Sequence, residues 1–239
     1  VNIQNVHGLT IAMVAQEIRG EAGTSVELKL SRANPTSNDY DVRLVRRAIS
    51  TDLAYLDFVG DIAVIEVTSF GETLDQRLLG IATDIRNKGG VKGVVLDLRS
   101  NSGGLLDQSV ELVSYFVNPN EVVLKEKIKD GEKELRSKEK EVNLRDLPVI
   151  VLQDENSASA AEITAGALRD IRGAKVVGQT SFGKGVVQRI FSLQNGGSLK
   201  LTIAEWFTPN DTKINEVGIE PDIEPEDDQD ELQLAIDEL

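Results

Sequence analysis

The chain has 239 residues, of which 40% are hydrophobic, so it can bury the core of one large domain and part of a second. Its formal net charge of -14 argues against a nucleic-acid partner, because a phosphate backbone would be repelled over most of the surface. The absence of cysteine excludes thiol catalysis, disulfides and thiolate metal sites, and the single histidine, His7, disfavours a zinc enzyme.

Residues 1–50 form a small predicted unit. An apolar stripe from Leu9 to Ile18 predicts a helix that ends at Gly20, and two alternating strands follow, separated by a turn at residues 33–39. A helix and two strands are too few to close a core, so we expect only part of a domain here.

From residue 51 onward, strands and helices alternate. This order predicts an α/β fold with helices packed on a sheet. A charged stretch around residues 130–131 predicts an exposed hairpin. The main predicted elements are strands at 62–67, 94–98, 149–152 and 174–177, and helices at 74–85, 105–116 and 159–170.

Two features concern the membrane and the carboxyl end. No apolar run approaches the roughly 20 residues needed to span a bilayer, so no integral membrane segment is predicted. Residues 216–239 contain acids but no lysine or arginine, which predicts a solvated, partly mobile terminus or an acidic interaction tail.

A serine and a lysine are the candidate catalytic pair. His7 belongs to the small first unit, so a Ser-His-Asp triad is not expected. Ser159 stands where a buried strand gives way to a helix, and Lys184 lies between two glycines. A lysine acts as a base at neutral pH when burial in a dry pocket lowers its pKa. We therefore predict Ser159 as nucleophile and Lys184 as base.

The same serine has a structural interpretation. Ser159 and Glu162 fit a capping box, in which the serine caps the helix and the glutamate reaches back to it. Ser157 is a rival for both roles, as cap and as nucleophile. From the residues alone both alternatives stay open.

Backbone donors for an oxyanion can be predicted at two places. The first turn of a helix has free N–H groups, which makes the N–H of Ala160 a candidate. Gly103 and Gly104 follow a buried strand, and glycines let a backbone approach closely, so either could supply a second donor. The alternative is an ordinary strand-to-helix turn.

A nucleotide site is disfavoured although part of its signature is present. Residues 178–184 match the first seven positions of a phosphate-binding P-loop. However, residue 185 is glycine where serine or threonine should bind magnesium, and residues 186–191 predict a strand where a P-loop opens a helix.

In its ordered motifs the chain resembles the C-terminal processing, or tail-specific, serine proteases. The resemblance also includes residues 7–32, which are similar to the second half of the PDZ domain of that family. The matching motifs of the protease core, in order, are Gly60–Val64, Asp97–Arg99 with Asn101–Gly104, Ser157–Ser159 with Glu162, Phe182–Gly185 with Gln188, and Gly218–Asp222.

The resemblance implies a ClpP/crotonase-like α/β protease core over residues 51–239, with a charged hairpin insertion at about 121–147, and a partial PDZ domain over residues 1–50. It implies a serine endopeptidase that cleaves proteins near their C-termini through an acyl-enzyme and needs no cofactor and no metal. The alternative is an inactive or resting peptide-binding module of the same fold.

The resemblance also assigns roles to residues. It implies Ser159 as nucleophile, Lys184 as general base, and Gln188 as the polar residue that holds the lysine. It places Glu162 near the lysine and takes the oxyanion donors from the backbone of Gly103, Gly104 and Ala160.

The implied partners are protein or peptide substrates with unfolded or tagged C-terminal tails. The family works outside the cytoplasm, so the resemblance implies the periplasm or cell envelope. Whether the chain forms a homo-oligomer is left open by the sequence.

Overall fold

The structure is a computed structural model that describes residues 6, 8–30, 40–47, 52–129, 131–193, 196–226 and 228–239. The chain divides into two compact units, Val1–Thr51 and Asp52–Leu239. His7 and the predicted turn at 33–39 lie outside the described residues.

The first unit contains one helix and one hairpin. Helix α1 spans Ile11–Ile18, and strands β1 (Ser25–Leu30) and β2 (Tyr40–Val45) pair antiparallel. The Arg46 side chain donates hydrogen bonds to the carbonyl oxygens of Ile18 and Ser25. This guanidinium therefore holds the end of the helix against the start of the hairpin. The predicted helix and both predicted strands are confirmed.

The second unit is built on a five-stranded sheet with the strand order β3-β4-β5-β8-β9. The first pair is antiparallel and the remaining pairs are parallel. Buried parallel strands read as continuous apolar runs, and every residue of β5 and of β8 is buried. The strands are β3 (Ala54–Val59), β4 (Ile62–Val67), β5 (Gly93–Asp97), β8 (Val149–Gln153) and β9 (Val176–Gly178).

Alternate residues of these strands point to opposite faces of the sheet. On one face, helices α2 (Leu74–Lys88), α3 (Leu106–Ser114) and α4 (Ala160–Arg172) bury the larger apolar core. On the other face, the short helix α5 (Glu231–Asp237) covers a second apolar cluster that includes Val95 and Leu152. The predicted mixed α/β architecture is confirmed.

A second, antiparallel sheet has the order β10-β11-β6-β7. Its strands are β6 (Val122–Ile128), β7 (Gly131–Arg136), β10 (Val186–Ser192) and β11 (Ser198–Phe207). The predicted charged hairpin is confirmed as the β6–β7 pair. Its predicted exposure is wrong for β6, because β6 lies between two strands and its Val123 and Leu124 are fully buried.

Residues 216–239 are exposed at many positions, as predicted, but several of them also pack on the second unit. Ile219 is fully buried, and Ile223 forms a parallel bridge with Val177 of β9. In α5, Ala235 is fully buried against the sheet. Apolar residues at alternate or helical spacing among the acids make these contacts. Within the described part of the chain, no helix is long and apolar enough to cross a membrane.

The parallel strands determine where the candidate site lies. Loops that leave the carboxyl ends of parallel strands meet along one edge of the sheet. The Gly103–Gly104 turn follows β5, Ser159 follows β8, and Lys184 follows β9. Three stretches that are distant in sequence are thereby brought to the same edge.

Candidate active site

Ser159 adopts a strained backbone conformation at the start of α4. Its φ is +57° and its ψ is -113°, a region that non-glycine residues rarely occupy and that costs about 1–3 kcal/mol. The residue is 5% exposed. Strain of this kind persists where the surrounding structure imposes it, and it is concentrated at functional sites.

Ser157, the rival of Ser159, is occupied by structural hydrogen bonds. Its hydroxyl donates to the Leu98 carbonyl oxygen at 2.8 Å and accepts from the Asp154 N–H at 2.9 Å. The residue is 1% exposed. These bonds tie the loop after β8 to the end of β5, and they disfavour Ser157 as a nucleophile.

Glu162 is a fully buried carboxylate that binds both candidate catalytic loops. Its Oε2 accepts from the N–H of Ser159 at 2.7 Å and from the N–H of Lys184 at 2.9 Å. Its Oε1 accepts from the Ser181 hydroxyl at 2.7 Å and from the Gly183 N–H at 2.6 Å. The bond from the Ser159 N–H is one half of the predicted capping box. The remaining bonds give Glu162 a second role, which is to hold the lysine loop beside the serine.

The prediction that Lys184 is buried in a dry pocket is wrong for this structure. The residue is exposed, and among the described residues no hydrogen bond joins its ammonium group to the Ser159 hydroxyl. Only the backbone of Lys184 is fixed beside the serine, through Glu162. Gly185 lets the lysine loop pack closely against Asn215, because a Cβ there would lie 2.4 Å from the Asn215 nitrogen.

Gln188 lies on β10, which begins two residues after Lys184. It pairs with Thr202 next to a break in the register of β10 and β11, a feature that re-aims side chains near active sites. Gln188 is exposed, and within the described residues it forms no hydrogen bond with Lys184. The strand predicted after residue 185 is confirmed, and with it the failure of the P-loop interpretation.

The candidate oxyanion donors differ in whether they are free. The N–H of Gly103 donates to the Asn101 side-chain oxygen at 2.8 Å. Within the described residues, the N–H groups of Gly104 and Ala160 have no intramolecular partner. A Cβ on Gly103 would lie 2.8 Å from the Ser159 Cβ and 3.0 Å from the Ala160 nitrogen, so this turn packs directly against the nucleophile loop.

Two polar residues near the site, one buried and one half-buried, were not singled out in the sequence. Asn101 is fully buried in the turn after β5. Asp154 accepts hydrogen bonds from the N–H and the hydroxyl of Ser100 at 2.9 and 3.0 Å, and so joins the loops after β5 and β8. The signal that could have found them is a polar residue within four residues of the end of a buried strand.

An acidic cavity of about 510 Å³ lies at the same edge of the sheet. Arg99 in its wall pairs with Asp97 and with Glu231 of α5, and these bonds, first that to Asp97, hold the arginine pKa above its ordinary value. None of the predicted catalytic residues lines this cavity. The lining residues are Glu66, Asp97, Arg99, Ser100, Asp154, Glu155, Gln179 and Glu231.

The sequence matches one family model over most of the second unit. Residues 61–225 match peptidase family S41. The chain belongs to peptidase family S41. The carboxy-terminal processing protease CtpA of Bacillus subtilis is 36% identical over 227 residues, which cover 95% of this chain and 48% of that protein. A carboxy-terminal-processing protease of Bartonella bacilliformis is 38% identical, with coverage of 92% and 51%.

Two solved structures have the same fold. The photosystem II D1 C-terminal processing protease matches with a TM-score of 0.69 and 24% identity, over 93% of this chain and 61% of that one. Mature CPAF in complex with lactacystin matches with a TM-score of 0.60 and 14% identity, over 91% and 68%. The resemblance to tail-specific proteases is thus confirmed at the level of the S41 family. The chain spans about half the length of the curated relatives it matches.

Proposed function

We propose that the chain is the catalytic part of a serine endopeptidase that cleaves proteins near their C-termini through an acyl-enzyme, with Ser159 as nucleophile and Lys184 as base. One observation carries this proposal: the backbone N–H groups of both residues donate to the same oxygen of Glu162. A lysine whose main chain is fixed there can bring its amine to the serine hydroxyl by rotation of its side chain alone.

The reaction follows the usual logic of acyl transfer. Neutral Lys184 takes the proton of the Ser159 hydroxyl while the serine oxygen attacks the scissile carbonyl. The oxyanion that forms is stabilised by the N–H groups of Gly104 and Ala160, which are unpartnered within the described residues. Collapse expels the amine product, which receives the proton from Lys184. Water then releases the acyl group by the same steps in reverse.

The exposed Lys184 corresponds to a resting arrangement. Catalytic hydrogen bonds are often long or unformed before substrate binds and tighten in the complex. An extended substrate over the site would shield the lysine from water and favour its neutral form. Gln188 lies on β10, four residues after Lys184 in the sequence. Its side chain would hold the Lys184 amine toward the serine hydroxyl. Lys184→Arg keeps the positive charge but cannot act as a base, so it is the informative variant.

The substrate class is proposed from the relatives. Those named as carboxy-terminal processing proteases support protein tails as substrates. We assign residues 1–50 to part of a PDZ domain. An extracytoplasmic location is part of the same proposal.

Cleavage of an unfolded protein tests the activity. Casein is incubated with the wild-type chain, with Ser159→Ala and with Ser157→Ala as the matched control, and the products are analysed by mass spectrometry. We expect cleavage by the wild type and by Ser157→Ala, with none by Ser159→Ala. Equal cleavage by all three would overturn the assignment of Ser159.

A second candidate is a peptide-binding module of the same fold. It is favoured by one observation, the exposed Lys184 with no bond to the serine. Binding of casein fragments by the wild type without any cleavage, over hours and at several pH values, would support this alternative.

A further inference from the structure

Asn101 is a fully buried amide beside the proposed site, and the mechanism above gives it no role. Its side chain makes one bond as donor and one as acceptor. The Nδ2 donates to the Val67 carbonyl oxygen at 2.6 Å, and the Oδ1 accepts from the Gly103 N–H at 2.8 Å. The amide thus joins the end of β4 to the glycine turn after β5.

The main chain of Asn101 reaches the nucleophile loop. Its carbonyl oxygen accepts from the N–H of Ala158 at 2.9 Å. Ala158 immediately precedes Ser159, whose φ of +57° must be held by its neighbours. One residue therefore contacts both structures that would surround an oxyanion, the glycine turn and the segment that leads into α4.

The bond to Gly103 separates the two glycines. Because the N–H of Gly103 is engaged by Asn101, it is not free to bind an oxyanion, whereas that of Gly104 has no partner among the described residues. A fixed Gly103 peptide also fixes the start of the next peptide, which carries the Gly104 N–H. The carbonyl oxygen of Gly103 also accepts from the Phe70 N–H at 3.1 Å. Asn101 and Phe70 thus together set the orientation of the donor that remains.

We propose that Asn101 is a positioning residue for the oxyanion site, acting through the Gly103–Gly104 turn and through Ala158. This inference rests on the proposed function of Ser159. It requires a side chain with one donor and one acceptor in a site that excludes water, and an amide supplies both without charge.

Three variants separate positioning from stability. Asn101→Ala loses both side-chain bonds. Asn101→Asp keeps an acceptor and, when burial keeps the acid protonated, also a donor, so it is the partial rescue. Ser114→Ala is the matched control, since Ser114 is also fully buried and also makes one bond as donor and one as acceptor, to Val110 and Lys138, away from the site.

The measurements are kcat and KM on a short peptide chosen from the casein cut sites, and inhibition by the aldehyde of the same peptide. Because oxyanion donors act on charge that develops in the transition state, misplacing one should lower kcat about 10–100-fold and leave KM within about threefold. The aldehyde adduct carries the same oxygen, so its affinity should fall by the factor lost in kcat/KM.

The expected order of kcat is wild type, then Asn101→Asp, then Asn101→Ala, with Ser114→Ala equal to wild type at a temperature where all are folded. Asn101→Ala with a lowered Tm but wild-type kcat and aldehyde affinity would show a structural role only and overturn the inference. Absence of Ser159-dependent cleavage by the wild type would overturn the proposed function, and this inference with it.

Discussion

A single carboxylate, Glu162, binds the main chain of both residues proposed to carry the chemistry. An ionised carboxylate has only acceptors, and Glu162 faces four donors, from Ser159, Ser181, Gly183 and Lys184. The group is fully buried, so each of these bonds forms in a medium where an unpaired donor is costly. Each of the two carboxylate oxygens of Glu162 therefore accepts two hydrogen bonds from the donors that face it.

Glu162→Gln should disturb both stability and activity. The amide places an NH₂ donor where one oxygen accepted two bonds, so two buried donors lose their acceptor. We expect a loss of about 2 kcal/mol or more in the free energy of unfolding, measured by urea denaturation, and a fall in casein cleavage of at least about tenfold because the serine and lysine loops separate.

The matched control is Glu155→Gln, an exposed acid in the same loop as the nucleophile. Exposed substitutions usually change the unfolding free energy by less than about 0.5 kcal/mol. A Glu162→Gln protein as stable and as active as Glu155→Gln would contradict the role given to Glu162.

The turn after β5 is the element that ties the oxyanion site to the nucleophile loop. Gly103 has a φ of +96°, and a Cβ there would lie 2.7 Å from the Ala158 carbonyl oxygen. Gly104 packs as closely, with the position of an added Cβ 2.5 Å from the Phe70 carbonyl oxygen. Glycine is required at both positions for two reasons. The backbone has a positive φ, and the neighbouring backbone leaves no room for a Cβ.

Gly103→Ala and Gly60→Ala separate those two requirements. Gly60 also has a positive φ, of +63°, but an added Cβ meets nothing within 4 Å. We expect Gly60→Ala to cost about 1–2 kcal/mol from backbone strain alone. Gly103→Ala should cost at least about 1–3 kcal/mol more from overpacking and should also displace Ser159, with loss of cleavage. Urea denaturation and the casein assay measure both effects, and equal values for the two variants would contradict this packing.

Across the whole molecule, carboxylates connect loops that are far apart in sequence. Burial raises the pKa of Asp154, but hydrogen bonds from Ser100, Asn156 and Ser157 outweigh it, so the pKa lies below its ordinary value of 3.8. A carboxyl whose folded pKa is depressed stabilises the fold above its unfolded pKa, and this contribution is lost as the pH falls through the folded pKa.

Asp154→Asn should therefore lower the free energy of unfolding at neutral pH. Below about pH 4 the free energies of unfolding of the variant and of the wild type should become more similar, because the wild type loses the contribution of the ionised carboxylate. The substitution removes the group that titrates and keeps the shape of the side chain. Urea denaturation of both proteins at neutral pH and at steps between about pH 5 and pH 3 measures the difference. A difference that stays constant over this range would contradict the low pKa of Asp154.

Much of the fold could be predicted from two patterns. The buried strands of the large sheet are continuous apolar runs, and the helices that pack on the sheet have apolar residues at helical spacing. β4, α2, β8 and α4 were predicted from such patterns. β3 and β11 were missed, because both carry several exposed residues and lack the continuous apolar run of a buried strand. Helix α5 was missed because it is short and follows a run of acidic residues, although its apolar residues pack on the sheet.

The candidate site could be predicted only in part. Ser159 and Lys184 could be predicted as candidate residues because serine, lysine and glycine stand just after the ends of predicted strands. Three features depend on tertiary contacts: the strained φ of Ser159, the Gly104 N–H that has no partner among the described residues, and the two bonds of the Asn101 side chain. The exposure of Lys184 also depends on such contacts, and there the sequence-based expectation was wrong.

The most direct test of the central claim is covalent labelling with a fluorophosphonate, followed by peptide mapping of the modified residue by mass spectrometry. We expect one adduct, on Ser159, that still forms in Ser157→Ala and is lost in Lys184→Arg, because arginine cannot take the serine proton. An adduct on another serine, or undiminished labelling of Ser159 in Lys184→Arg, would contradict it.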